Sequence, residues 1–395
     1  MSHQEIYQRL IDRLKQSLLD LPEAEELMPL IKATYTPEEA SLLAGMPPQA
    51  VNVEELAQMK QMDPARLRVW LDALGKRGLV FRATIGETIR YRLNDSFFVH
   101  YRSAFWAGHT DERTKAIAPL VNQYYYHGGF DQWGLTHHKG LRVLPIQEVI
   151  EDTRQILPYE EVVKVLDSQD YFAVSHCACR HRKNIDPDSP SCKYPTEVCL
   201  HFGELARYTV ENDLGRQITR QEASDILRQC AETGLVHGVN NWQEGVDTIC
   251  NCCRCCCLWF EAFYKLKHTM SLSPSNYWVR TSPDICIGCG LCVKRCPMGA
   301  IRLEDSPEAK NRISIVVAEG KKGKKELKNK QGKVAVVNPD LCVGCGVCAY
   351  KCNTQSLVLE RRDVIEDPPE NMFEYGTLLL ADFAAATKPG EDATK

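Results

Sequence analysis

The chain has 395 residues, 44% apolar and 25% charged, with a formal net charge of −4. This is ordinary globular usage with material for two or three domains, and charge so mild gives no reason to expect a nucleic-acid or membrane surface as partner. The 19 cysteines are the anomaly, since none falls in the first 176 residues; a secreted disulfide scaffold would be short and evenly dotted with them, so these clumped thiols point to metal in a reducing compartment.

Residues 1–20 read as an amphipathic helix with Ile6, Leu10, Leu14 and Leu18 on one face. The segment lacks the apolar core of a signal peptide, and no apolar run approaches the ~18 residues that span a bilayer. A soluble, cytoplasmic protein without a membrane span is expected. Thr36-Pro37-Glu38-Glu39 starts a helix, Val53 begins a second, and Asp63-Pro64 caps a third that runs through Leu67, Trp70, Leu71 and Leu74 to Gly75. Two alternating strands follow about a turn at Gly86. That order resembles a winged helix-turn-helix domain. Its third helix carries Arg66 and Arg68, and the wing Arg82, Arg90 and Arg92. DNA is therefore a candidate partner, though a weaker one than protein, because the basicity is modest for a groove reader.

Further along, Ala104 to Trp106 and Tyr124 to Tyr126 supply core aromatics. Leu141–Leu144 and Tyr171–Val174 are strand candidates with a helix, Tyr159 to Leu166, between them. Two helices fill 203–236, the second capped by Thr219 and ended by Gly234. The expected organisation is α+β and multidomain: an N-terminal helix (1–26), a winged-helix-like domain (27–95), a central mixed α/β cysteine-rich domain (96–275), a ferredoxin-like module (276–362) with a lysine-rich insert (305–333), and a tail (363–395) with a short helix.

The segments DICIGCGLCVKRCPMGAIRLE and DLCVGCGVCAYKCNTQSLVLE align as an internal repeat. Each carries C-x2-C-x2-C-x3-C, the spacing of bacterial two-cluster ferredoxins. Three thiolates on a tight loop reach three corners of one cubane, and the fourth points to the neighbouring cluster. Cys286, Cys289, Cys292 and Cys352 are thus assigned to one [4Fe–4S] cluster, and Cys342, Cys345, Cys348 and Cys296 to the other. Gly288, Gly290, Gly344 and Gly346 let the backbone curl so that amides face sulfur. Structural zinc sites use two separated pairs instead. Ala300–Leu303 is set against Ser356–Leu359 as the pseudo-two-fold strand pair. Asn353 stands where proline commonly follows the fourth cysteine.

Ten more cysteines lie upstream: Cys177, Cys179, Cys192, Cys199, Cys250, Cys252, Cys253, Cys255, Cys256 and Cys257, with Cys230 alone. Free thiols at this density would oxidise, so they are candidate ligands for one or two additional clusters; a zinc site with spare thiols is the alternative. Arg180, His181 and Arg182 are candidate donors to cluster sulfides, and His176 and His201 are read as supporting or packing residues.

Leu157-Pro158-Tyr159-Glu160-Glu161, Cys177-Ala178-Cys179-Arg180, Glu197 to Gly203, Gly234-Leu235-Val236-His237 and Ile249 to Cys253, together with the two cluster motifs, carry a family resemblance. From about residue 27 to 362 the chain resembles the 4Fe–4S dicluster ferredoxin-like proteins of anaerobes that have an N-terminal winged-helix-like domain. The reading that results is a carrier of single electrons to or from a partner oxidoreductase. The alternatives are a redox-sensing regulator that uses the winged helix, and a catalytic subunit that uses the upstream cysteines. No G-x-G-x-x-G or P-loop is present, and no small-molecule substrate is expected. The run Lys321 to Lys333 is read either as a surface for steering an acidic partner or as a solvated hairpin tip.

Overall fold

Thr36 and Asp63 cap their helices where the sequence places them. The computed structural model describes residues 2–17, 21–129, 136–153, 156–268, 271–317 and 324–386. Helix α1 (His3–Leu14) opens on a capping box of Ser2 and Glu5 and buries Tyr7, Leu10, Ile11 and Leu14. It is shorter than its hydrophobic pattern implies, and Leu18 lies outside the described residues. Helices α2 (Leu27–Thr34), α3 (Pro37–Ala44, capped by Thr36), α4 (Val53–Lys60, capped by Asn52) and α5 (Pro64–Lys76, capped by Asp63) follow. Strands β1 (Val80–Ile85) and β2 (Thr88–Leu93) pair antiparallel about Gly86, whose φ of +64° suits the turn.

This hairpin is not a free wing. Phe81 stacks on Tyr208 with ring centroids 4.5 Å apart, and Asn212 Nδ2 donates to the Arg82 carbonyl at 2.9 Å. Arg82 is ion-paired to Asp72 at 2.8 Å, Arg68 to Glu54 at 2.9 Å and Lys76 to Asp213 at 2.8 Å. One buried cluster joins Leu10, Leu43, Leu71 and Trp106 to Ala178, Tyr208 and Leu258, so the boundary expected near residue 95 is no break in packing.

Helix α6 (Ser96–Tyr101) carries the buried His100, with Nδ1 2.9 Å from Ser96 Oγ and Nε2 3.0 Å from Thr34 Oγ1. Burial pushes its pKa down to about 3. The unfolded chain protonates this ring near pH 6.5, so its contribution to stability is complete above that pH and falls as the medium is acidified toward 3. Relative to His100→Gln, the native chain is expected to lose about 2 kcal/mol of unfolding free energy between pH 7 and pH 5. A difference between the two proteins that does not vary with pH would refute this.

After α7 (Glu112–Tyr124) comes the central sheet. Its strands are β3 (Leu141–Leu144), β4 (Phe172–His176), β5 (Glu197–Phe202), β6 (Arg216–Ile218), β7 (Val236–Asn240) and β8 (Thr248–Cys252). They lie in the order β3-β7-β8-β5-β4-β6. Every neighbouring pair is antiparallel, so this region is α+β in the strict sense rather than the mixed α/β arrangement expected. Helices α8 (Val162–Asp167), α9 (Ala178–Ile185), α10 (Gly203–Glu211), α11 (Arg220–Thr233) and α12 (Leu258–Lys265) are interleaved. Thr219 caps α11 and Gly234, at φ +97°, ends it.

The C-terminal region is built from β9 (Tyr277–Thr281), α13 (Leu291–Arg295), β10 (Ile301–Asp305), β11 (Ile313–Val317), β12 (Lys324–Lys328), β13 (Lys333–Val337), α14 (Val347–Tyr350) and β14 (Leu357–Arg361). The strands after the two motifs do not pair with each other, contrary to expectation. Instead β10 pairs with β13 and β14 with β9, each with the strand that precedes the other motif. The insert forms its own antiparallel hairpin, β11–β12. Lys321 to Gly323 of the lysine run lie outside the described residues. The tail forms α15 (Met372–Ala386), longer than expected, with Tyr375 packed near Trp242. No helix among the described residues is long and apolar enough to cross a membrane.

Candidate metal centres

Each ferredoxin motif is a loop that only glycine can shape. Gly344 has φ +70°, and a Cβ there would lie 2.2 Å from the carbonyl oxygen of Tyr277. Gly288, at φ +61°, would meet the Lys333 carbonyl oxygen at 2.4 Å. The loops are thereby pressed onto β9 and β13, while Gly290 and Gly346, in the left-handed region, start α13 and α14.

The cross-paired strands bring the fourth cysteine of each motif to the other. Cys286, Cys289, Cys292 and Cys352 line one cavity together with Cys348. The charges of Cys296 and Cys342 act on Cys345 and Cys348, which are buried. Cys289 is exposed, whereas Cys286 and Cys292 are buried. Backbone amides converge on sulfur: Ala300 N–H donates to Cys296 Sγ at 3.3 Å. Burial, aided by the charges of Cys286, Cys289 and Cys352, pushes the Cys292 thiol up to about 12. Thiolates crowded at this depth need a compensating cation, and amide-to-sulfur bonding suits them once they have it. The donor set therefore fits an iron–sulfur group.

Residues 285–356 match the 4Fe-4S dicluster domain. That domain implies two [4Fe–4S] clusters. Pyruvate-flavodoxin oxidoreductase of Rhodospirillum rubrum is 34% identical over 98 residues, covering 22% of this chain and 8% of the relative. Polyferredoxin protein MvhB of Methanothermobacter marburgensis is 38% identical over 85 residues, 22% of this chain and 16% of the relative. The chain thus spans only a small part of either relative. No solved structure matches. The dicluster domain and these redox relatives support an iron–sulfur electron-transfer function.

Beside the dicluster domain the ten upstream thiols separate into two groups. Cys177 leaves β4 and Cys179 lies in the first turn of α9. Cys199 is on β5, and Cys250 and Cys252 share one face of β8, as residues two apart on a strand do. With Cys257 these six line a cavity of about 120 Å³. That is well below the ~300 Å³ at which drug-sized ligand pockets begin, and it suits a compact inorganic group. Burial, opposed in part by the Arg180 charge, pushes the Cys177 thiol up to about 11. Cys253 reaches the same wall but gathers with Cys192, Cys255 and Cys256. Cys230, on α11, is buried in the same apolar cluster as Cys253 and Cys256.

The expected donors to sulfide are only partly engaged, with Arg180 Nε and both Nη atoms of Arg182 buried and without a hydrogen-bond partner among the described residues. Arg180 donates to the carbonyls of Pro195 and Asn251, Arg182 Nε to Asn122 Oδ1 at 2.7 Å, and His181 Nε2 lies 2.7 Å from the His109 carbonyl oxygen. His201 is buried against Trp106, 2.8 Å from Ser175 Oγ. Arg102, whose Nη2 donates to Thr248 Oγ1 at 2.7 Å, lines the wall unread from the sequence, and Trp106, expected only as a core aromatic, lines it too. Neither stands near a cysteine in the sequence, so no local signal marks them.

Proposed function

We propose that this chain is a cytoplasmic carrier that passes single electrons through three iron–sulfur centres to or from a partner oxidoreductase. Cys286, Cys289, Cys292 and Cys352 would hold the first, and Cys342, Cys345, Cys348 and Cys296 the second. Four of the six cavity thiols, Cys177, Cys179, Cys199, Cys250, Cys252 and Cys257, would hold the third. Clusters fully ligated by cysteine supply one-electron exchange with little change of geometry.

One observation carries the reading. Cys252 and Cys257 belong to the same apolar cluster as Cys345, with Cys296 and Cys342 packed against it. Cys296 and Cys342 also pack against the cluster that contains Cys286, Cys292 and Cys348. The three sets are thus joined through continuous, water-poor packing. Iron and sulfide counting on anaerobically purified protein is expected to give about twelve irons per chain. About eight would remove the third centre, and iron-free folded protein would end the whole reading.

The winged-helix-like region would serve as a docking and packing unit. Its hairpin is occupied by Tyr208, and Arg68, Lys76, Arg77 and Arg82 are ion-paired, which leaves little basic surface for DNA. A catalytic role has one observation in its favour: a cavity of about 610 Å³ shares Phe97, Arg102, Gly140, Asn240 and Trp259 with the thiol cavity. Turnover of an added small oxidant by the isolated reduced chain would establish that role.

A further inference from the structure

Cys192 stands on the segment between α9 and β5, and Cys253, Cys255 and Cys256 occupy the turn between β8 and α12. Their four Sγ atoms all lie within 4.8 Å of one another. Cys192 is 3.4 Å from Cys255 and 3.9 Å from Cys253, and Cys256 is 3.7 Å from Cys255. Four thiolates around one zinc, at ~2.3 Å from the metal, are separated by tetrahedral edges of about 3.8 Å. A cubane demands a different spacing, because each thiolate caps a separate iron and the sulfurs are held apart by the width of the cube. The dicluster thiols form no group this tight among the described residues.

We propose that Cys192, Cys253, Cys255 and Cys256 bind a single tetrahedral zinc ion. Four protein sulfurs complete its shell, which makes the site structural rather than catalytic. Soft thiolates select zinc or iron, and among divalent ions zinc binds such a site more tightly than ferrous iron. The ion pins residues 186–196 to the turn after β8, two segments far apart in sequence. Both sides are prepared for it. Cys192 N–H is held by Asn184 Oδ1 at 2.7 Å, and the guanidinium of Arg254, within the turn, lies 3.8 Å over the Tyr264 ring. The Arg180 guanidinium, fully buried, interacts with the charges of Cys177, Cys253 and Cys192 and bonds the Pro195 carbonyl of the first segment and the Asn251 carbonyl of β8. It offsets the excess negative charge that four thiolates leave on a divalent ion.

Elemental analysis of the full-length, anaerobically purified chain is expected to find one zinc in addition to iron. Cys192→Ser combined with Cys255→Ser should lower zinc at least tenfold and leave the iron count and the reduced-cluster EPR signal unchanged, which also certifies the fold. Loss of about four irons from that variant, or a single iron in place of zinc, would overturn the assignment. Zinc-edge X-ray absorption of the unmodified chain supplies the second readout, with four sulfurs expected at about 2.3 Å. Nitrogen or oxygen in that shell would also overturn it. Because zinc is counted separately from iron, failure here is distinguishable from failure of the electron-carrier reading.

Discussion

Cys345→Ala is expected to strip about four irons from the chain and to unfold much of the C-terminal region. Cys345 is buried among Ile146, Met298 and Val347, and its carbonyl accepts from Ile146 N–H at 3.2 Å. Loss of its thiolate therefore removes a ligand and opens a gap in the packing at one place. At sites that exist only in the folded chain, metal-binding energy is folding energy, on the order of 10 kcal/mol for a structural thiolate site. Cys289→Ala, at the exposed rim, should also lose about four irons with less damage to the fold. Iron counting and thermal unfolding of the two variants measure both effects. Retention of about eight irons in the dicluster region of either variant would contradict the ligand assignment.

Glu261→Ala is expected to cost about 3–5 kcal/mol of stability. Glu261 sits on α12, directly after the cysteine run, and pairs with Lys183 at 3.3 Å with side chains only 2% and 4% exposed. It also accepts from Tyr126 Oη at 2.6 Å and pairs with Lys265 at 2.7 Å. Burial already pulls the Lys183 pKa downward, with Glu261 opposing that shift. Without the carboxylate the ammonium stays buried and unpaired, a greater loss than the pair itself is worth. A fall in thermal midpoint with iron content retained is the expected signature. A midpoint within a degree of the native protein would show that the pair is dispensable.

Sequence reasoning reached what is local. The spacing of Cys286 to Cys296 and of Cys342 to Cys352 is a property of one loop, as are the caps at Thr36, Asp63 and Thr219. It failed where partners are distant. Ala300–Leu303 and Ser356–Leu359 look like mates because they are equivalent in the repeat, yet a two-fold arrangement gives each the strand that precedes the other motif. The division of the upstream thiols was equally illegible, because Cys192 and Cys253 meet only after β5 and β8 have paired. The hairpin at Gly86 was legible as a hairpin, whereas its burial against Tyr208 was not, since nothing near Phe81 names that neighbour.

The lysine-rich hairpin leaves the C-terminal framework at Asp305 and returns at Lys333, and these residues face each other across one ladder. Both ends of the excursion are thus clamped side by side before it begins. Doubling the length of a flexible connection between fixed ends costs only about 0.6 kcal/mol. Its stem is nevertheless tied to the first cysteine loop, since the buried Asn329 donates to the Cys286 carbonyl at 3.0 Å and Ser314 Oγ to the Ile285 carbonyl at 2.9 Å. The insert therefore acts as a brace, and a substitution in its stem is transmitted to the backbone that carries the Cys286 thiol.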